Sequence, residues 1–257
     1  MPPKTLWTRE ELILSFDLYL KTPFGKISNT NQEIQELAAL INRTPSSISM
    51  RLSNFASIDP FHLNRGAKGL ENAKRQVQPI WDEFFNNQEE LVFLSESIRA
   101  NKQGTTIETK FEEVFRDLKG LKGEDIKRLV KTRINQSVFR KTVLLNYSYK
   151  CAITGIDIPH LLYASHIVPW SQNERERLNP ENGICFSALY DRAFDQGDIG
   201  LDKNCRILFS RALKKKANME YYTTHFAPIE NTIIASPTTY FPKKEFLEYH
   251  LDTVFDK

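Results

Sequence analysis

The chain has 257 residues, 40% hydrophobic and 26% charged, with a net charge of +3; this is ordinary for a soluble globular protein of one or two domains, and leaves any polyanionic partner to local basic clusters. Its three cysteines, Cys151, Cys185 and Cys205, are odd in number and form no CxxC pair, which excludes a disulfide framework and a four-thiolate zinc site. No segment approaches the roughly 18–20 unbroken apolar residues of a membrane span, and MPPKTLWTREEL lacks the apolar centre of a signal peptide, so the expected setting is a reducing cytoplasm without a membrane.

The first hundred residues read as helical. Thr8 with Glu11 forms a capping box, and Leu12, Phe16 and Leu20 follow at intervals of four as a core stripe. Thr30 with Glu33 reads as a second box, ahead of an amphipathic helix through Ile34, Leu37, Ala38 and Ile41. In NRTPSSISMRLSNF, Thr44 suits an N-cap and Pro45 a first helical residue, with Ile48, Leu52 and Phe55 facing inward.

The tight Asn42-Arg43-Thr44 connection makes these two helices resemble a helix-turn-helix. The outward face of the second would carry Ser46, Ser47, Ser49, Arg51 and Asn54. Of these, Ser47, Arg51 and Asn54 are the candidates for contacts to base edges or phosphates. A plain helical bundle with a solvated polar face is the competing reading.

Residues 58–70 read as a loop, with Arg65 and Lys68 as candidate phosphate contacts. Helices are expected over 71–86 and 88–101, and the polar run NKQGTTIETK (101–110) reads as an interdomain linker. The expected organisation is a helical DNA-recognition domain over 1–102, a linker and connecting helix over 103–132, and a second domain over 133–257.

In that second domain a helix starts at Asn135, with Phe139, Val143 and Tyr147 spaced by four. YKCAITG and LLYASHIVPW read as two strands around a turn, followed by an irregular loop, SQNERERLNPENG. SALYDRAFDQGD then reads as a short helix. Its Asp191 and Asp195 are one turn apart, so two like charges share a face. IGLD and CRILFS read as a hairpin about Lys203-Asn204, and EFLEYHLDTVF closes the chain as a helix. Arg192, Arg211, Lys214 and Lys215 stand in or just after this region as candidate phosphate contacts.

The segments ASHIVPW, NPENG and LYDRAFDQG, in that order, resemble an HNH endonuclease of the branch written ASHI-x-PW, NP-x-NG, L-[HY]-D-x-x-FD-x-G. The resemblance implies an α+β chain: a mainly helical N-terminal domain, then a ββα-metal nuclease domain. It makes His166 the general base, Asn182 the brace of the long loop, and Asp191 and Asp195 the ligands of one Mg²⁺ or Mn²⁺. Two hard carboxylate oxygens suit such a cation, and neutral imidazole suits proton removal near pH 7. Structural zinc on the three cysteines with His160 is not expected.

The partner implied is double-stranded DNA, in bacterial restriction or phage defence, with methylated or phosphorothioate DNA as one class of target. Each ββα site cuts one strand, so a double-strand break calls for a homodimer or two encounters. Two departures stand out. Ser165 precedes His166 where many relatives have an acid or a histidine, and Tyr190 stands where others have histidine. They suggest the alternative of a DNA-binding regulator whose nuclease site has decayed.

Overall fold

The computed structural model describes residues 6–63, 71–117 and 124–256. Arg65 and Lys68 lie outside the described residues. The chain divides into two compact units, Met1–Gln136 and Ser137–Lys257.

In the N-terminal unit, α1 (Arg9–Lys21) starts on the expected capping box: Glu11 N donates to Thr8 Oγ1 at 3.3 Å, and Thr8 N donates to Glu11 Oε2 at 2.9 Å. The second helix, α2 (Gln32–Ile41), is capped by Asn31, whose Oδ1 accepts from Ile34 N. The cap is therefore one residue later than the Thr30 box. Asn42 adopts a left-handed conformation (φ 55°) that ends α2, and Thr44 caps α3 (Pro45–Ala56). Phe16 of α1 stacks on Phe55 of α3 at 4.7 Å between centroids, inside a core shared with Leu37, Ile48 and Leu52. Burying each such side chain contributes about 1.5–3 kcal/mol.

Residues 60–63 form a short α4 (Pro60–Leu63) inside the segment read as loop; α5 (Glu71–Phe84) and α6 (Gln88–Lys102) follow. Trp81 of α5 lies 5.3 Å from Phe16 and completes the aromatic centre. The stretch read as linker is not structureless. It carries α7 (Ile107–Lys110), with α8 (Glu112–Asp117) next, and α9 (Glu124–Asn146) begins well before Asn135.

The C-terminal unit holds two small sheets. Strand β1 (Leu162–His166) pairs antiparallel with β2 (Gly183–Ser187), and the register sets Ser165 against Ile184 and His166 against Gly183. The strand expected in YKCAITG does not form. Ser148 and Tyr149 have positive φ, Gly155 has φ 73°, and Cys151 N bonds Ile156 O; the segment therefore turns back on itself. The partner of β1 comes instead from GICFS, beyond the loop.

Helix α10 (Ala188–Asp195) leaves β2 directly. The hairpin β3 (Ile199–Leu201) with β4 (Ile207–Phe209) follows as read. Then come α11 (Arg211–Lys214), α12 (Glu220–His225) and α13 (Lys244–Thr253). Gly197, at φ 76°, ends α10 where a Cβ would lie 2.2 Å from the Val254 carbonyl, so only glycine fits there. No helix among the described residues is long and apolar enough to cross a membrane.

Candidate functional site

His166 ends β1. Its ring stacks on Phe139 of α9 at 4.0 Å and 14°, and meets Trp170 edge-on at 5.4 Å. Its Nε2 lies 2.9 Å from the carbonyl oxygen of Arg177. A carbonyl only accepts, so Nε2 carries the proton and Nδ1 holds the lone pair. Burial lowers the pKa of His166; the adjacent Arg177 charge acts the same way, against the opposing pull of the carbonyl.

The loop that delivers the Arg177 carbonyl is closed by Asn182, which is 1% exposed. Asn182 Oδ1 accepts from Val168 N at 2.8 Å, and Nδ2 donates to the carbonyls of Val168 and Glu176 at 3.1 and 3.0 Å. One amide thus joins both ends of the loop. Arg177 adds Nε to Trp170 O at 2.6 Å.

Gly183 does not sit in a tight turn: its backbone is extended (φ −131°, ψ 140°). A Cβ there would come within 2.4 Å of Val143 and 2.8 Å of Phe139. The glycine lets α9 press Phe139 onto His166. Phe139 was legible only as a core position of its helix; no local signal marks its contact with the histidine.

Asp191 and Asp195 lie one turn apart on α10, which packs on β1. Ser165 Oγ donates to Asp191 Oδ1 at 2.5 Å. Burial raises the pKa of Asp191, and the Ser165 hydrogen bond and Arg192 oppose it. Burial, then the charge of Asp191, pushes Asp195 up to about 6. Arg192 is exposed and its charge partly offsets both shifts. Tyr190 points into the core: it is 5% exposed, and its hydroxyl donates to the His225 carbonyl at 2.6 Å.

Residues 151–202 match the family model described as HNH endonuclease. The chain carries an HNH endonuclease domain. No curated protein matches the chain. An HNH domain implies nuclease action on DNA with a divalent metal. Among the described residues, no group of three or more His, Cys, Asp or Glu side chains is close enough to hold a metal ion. What the HNH domain offers is a pair of carboxylates with hard oxygen donors. Asp195 accepts no hydrogen bond from a described residue, and its charge is opposed by that of Asp191. Such a pair suits a cation that keeps most of its shell for water and phosphate oxygens.

The other candidates are scattered. Arg211, Lys214 and Lys215 are exposed, and Lys214 pairs with Glu230 at 3.3 Å. Ser210, just ahead of Arg211, is tied to the turn between α10 and β3 by its N–H to Asp198 O at 2.9 Å. In the N-terminal unit, Ser47 and Asn54 are half-buried on α3.

Arg51 corrects the expected outward face. It is only 7% exposed, with its guanidinium 4.4 Å from the Trp7 ring centroid; Arg43 lies over the same ring at 4.2 Å. The reason is helical spacing. Position 51 falls three residues after Ile48 and four before Phe55, at the margin of the buried stripe. Burial first, then the charge of Arg43, lowers its pKa to about 10.

Proposed function

We propose that the protein is a metal-dependent DNA endonuclease of a restriction or phage-defence system in the cytoplasm, cutting DNA that carries a base or backbone modification. The observation that carries this reading is the pairing of β1 with α10. Ser165, next to His166, is bonded to Asp191, so the base and the carboxylates belong to one small ββα framework.

In this reading Asp191 and Asp195 hold one Mg²⁺ or Mn²⁺, which supplies positive charge to the scissile phosphate. His166 takes the proton of the attacking water at Nδ1. Its Nε2–H stays on the Arg177 carbonyl, which fixes the tautomer through the step. Asn182 keeps that carbonyl in place by closing the loop. The products carry 5′-phosphate and 3′-hydroxyl ends. Arg192, Arg211, Lys214 and Lys215 would contact flanking phosphates. Ser47 and Asn54 would contact DNA from the N-terminal unit. A double-strand break would require a homodimer or two encounters.

One observation favours a second reading. Among the described residues the carboxylate pair has no third metal-binding neighbour, as expected of a DNA-binding regulator with a decayed site. Digestion of plasmids that differ only in modification, with Mg²⁺ or Mn²⁺ and with sequencing of the ends, separates the two. Cleavage by wild type that is lost in His166→Ala supports the nuclease. Failure of wild type to cut any of the DNAs with either metal rejects it in favour of the regulator.

A further inference from the structure

Ser165 sits where an acid would have added a third charge beside Asp191 and Asp195. It is 2% exposed, and its backbone is fixed by pairing with Ile184 of β2. Because α10 starts at the residue after β2 ends, strand and helix hold a fixed relation. The serine side chain has a single rotatable bond before its hydroxyl, so its donor is closely aimed. That donor goes to Asp191 Oδ1, and Oδ2 accepts no hydrogen bond from a described residue. The carboxylate therefore has one oxygen anchored to the strand and one uncommitted.

We propose that Ser165 is a positioning residue: its hydroxyl locks Asp191 so that Oδ2 is presented to the catalytic cation, and the site works with two carboxylates where an acid at 165 would have supplied a third. The inference rests on the metal assignment above. Outer partners of ligands of this kind change metal affinity by about 10- to 100-fold. An acid at 165 would instead set a like charge against Asp191, which costs stability until a cation offsets it.

The test uses the full chain without DNA, titrated with Mn²⁺ and read by the electron-paramagnetic-resonance signal of the free ion. Ser165→Ala is expected to weaken Mn²⁺ binding by about 10- to 100-fold, and Ser165→Thr, which keeps the hydroxyl, to restore it. In nicking assays the half-saturating Mn²⁺ concentration of Ser165→Ala should rise by more than the maximal rate falls. Ser165→Asp should melt below wild type in chelator and gain more from Mn²⁺ than wild type does.

Wild-type Mn²⁺ affinity in Ser165→Ala, with wild type still cutting DNA, overturns the positioning role and leaves the nuclease reading intact. The absence of any Mn²⁺ effect on the melting of Ser165→Asp overturns it as well. Unchanged Mn²⁺ binding in the double variant Asp191→Ala, Asp195→Ala overturns the metal assignment, and the role of Ser165 with it.

Discussion

His166 Nε2 and the Arg177 carbonyl oxygen are 2.9 Å apart, and that contact decides which nitrogen of the ring can act as a base. Loss of the imidazole should therefore remove catalysis and spare binding. His166→Ala is expected to lower the plasmid-nicking rate by at least about 100-fold, within the usual range for a general base, with DNA affinity in chelator unchanged. Rate and gel-shift measurements on the same preparation check both halves.

The acid limb of the rate profile follows from the burial of the same ring. As the proposed base, His166 must be neutral to accept a proton, and its pKa is lowered. At metal concentrations that keep the Asp195 carboxylate ionised, activity should persist below pH 6.5, the ordinary histidine value, and fall as pH drops through the lowered His166 pKa. Phe139 covers one face of the ring. Phe139→Ala should let water in and move the acid limb back up toward pH 6.5. Nicking rates measured from pH 5 to 8 at saturating metal would show the displacement; an unmoved limb would mean that Phe139 does not set the burial of the base.

Asn182 serves three backbone groups at once. Asn182→Ala should destabilise the C-terminal unit by about 1–3 kcal/mol, because buried partners lose their bonds, and should reduce cleavage by freeing the Arg177 carbonyl. Asn182→Asp should not rescue it, since a carboxylate faces two carbonyls without a donor. Urea unfolding and nicking assays provide the comparison.

Gly183→Ala is expected to cost about 1–3 kcal/mol by overpacking against Val143 and Phe139. The double variant Gly183→Ala, Val143→Ala should recover part of the loss by opening the closest contact. Phe139 and Val143 were readable in the sequence as one helix stripe. That this stripe lands on Gly183 and His166 was not, because strand register and helix docking are long-range choices that local spacing does not encode.

His250 predicts a pH-dependent stability. It is 2% exposed, its ring stacks on Phe194 at 3.8 Å, and Nε2 donates to the Phe194 carbonyl. Burial lowers its pKa from 6.5 to about 4. The unfolded chain binds the proton first as pH falls, so stability is complete above 6.5 and is lost on the way down to about 4, by up to about 3 kcal/mol. His250→Gln should flatten that part of the profile, which urea unfolding between pH 4 and 7 would resolve.

The sequence by itself determined the helical N-terminal half, the capping box at Thr8, the hairpin after Asp198, and the order His166, Asn182, Asp191, Asp195. These depend on local periodicity, capping chemistry and motif spacing, all of which operate within a few residues along the chain. Only the tertiary structure decided that GICFS pairs with β1, that Arg51 is buried beneath Trp7, that Tyr190 faces the core, and that Ser165 donates to Asp191. In each case the partner is distant in sequence or the choice lies between neighbouring faces of one helix. Such contacts are fixed when apolar surface is buried and the polar groups left inside find donors and acceptors.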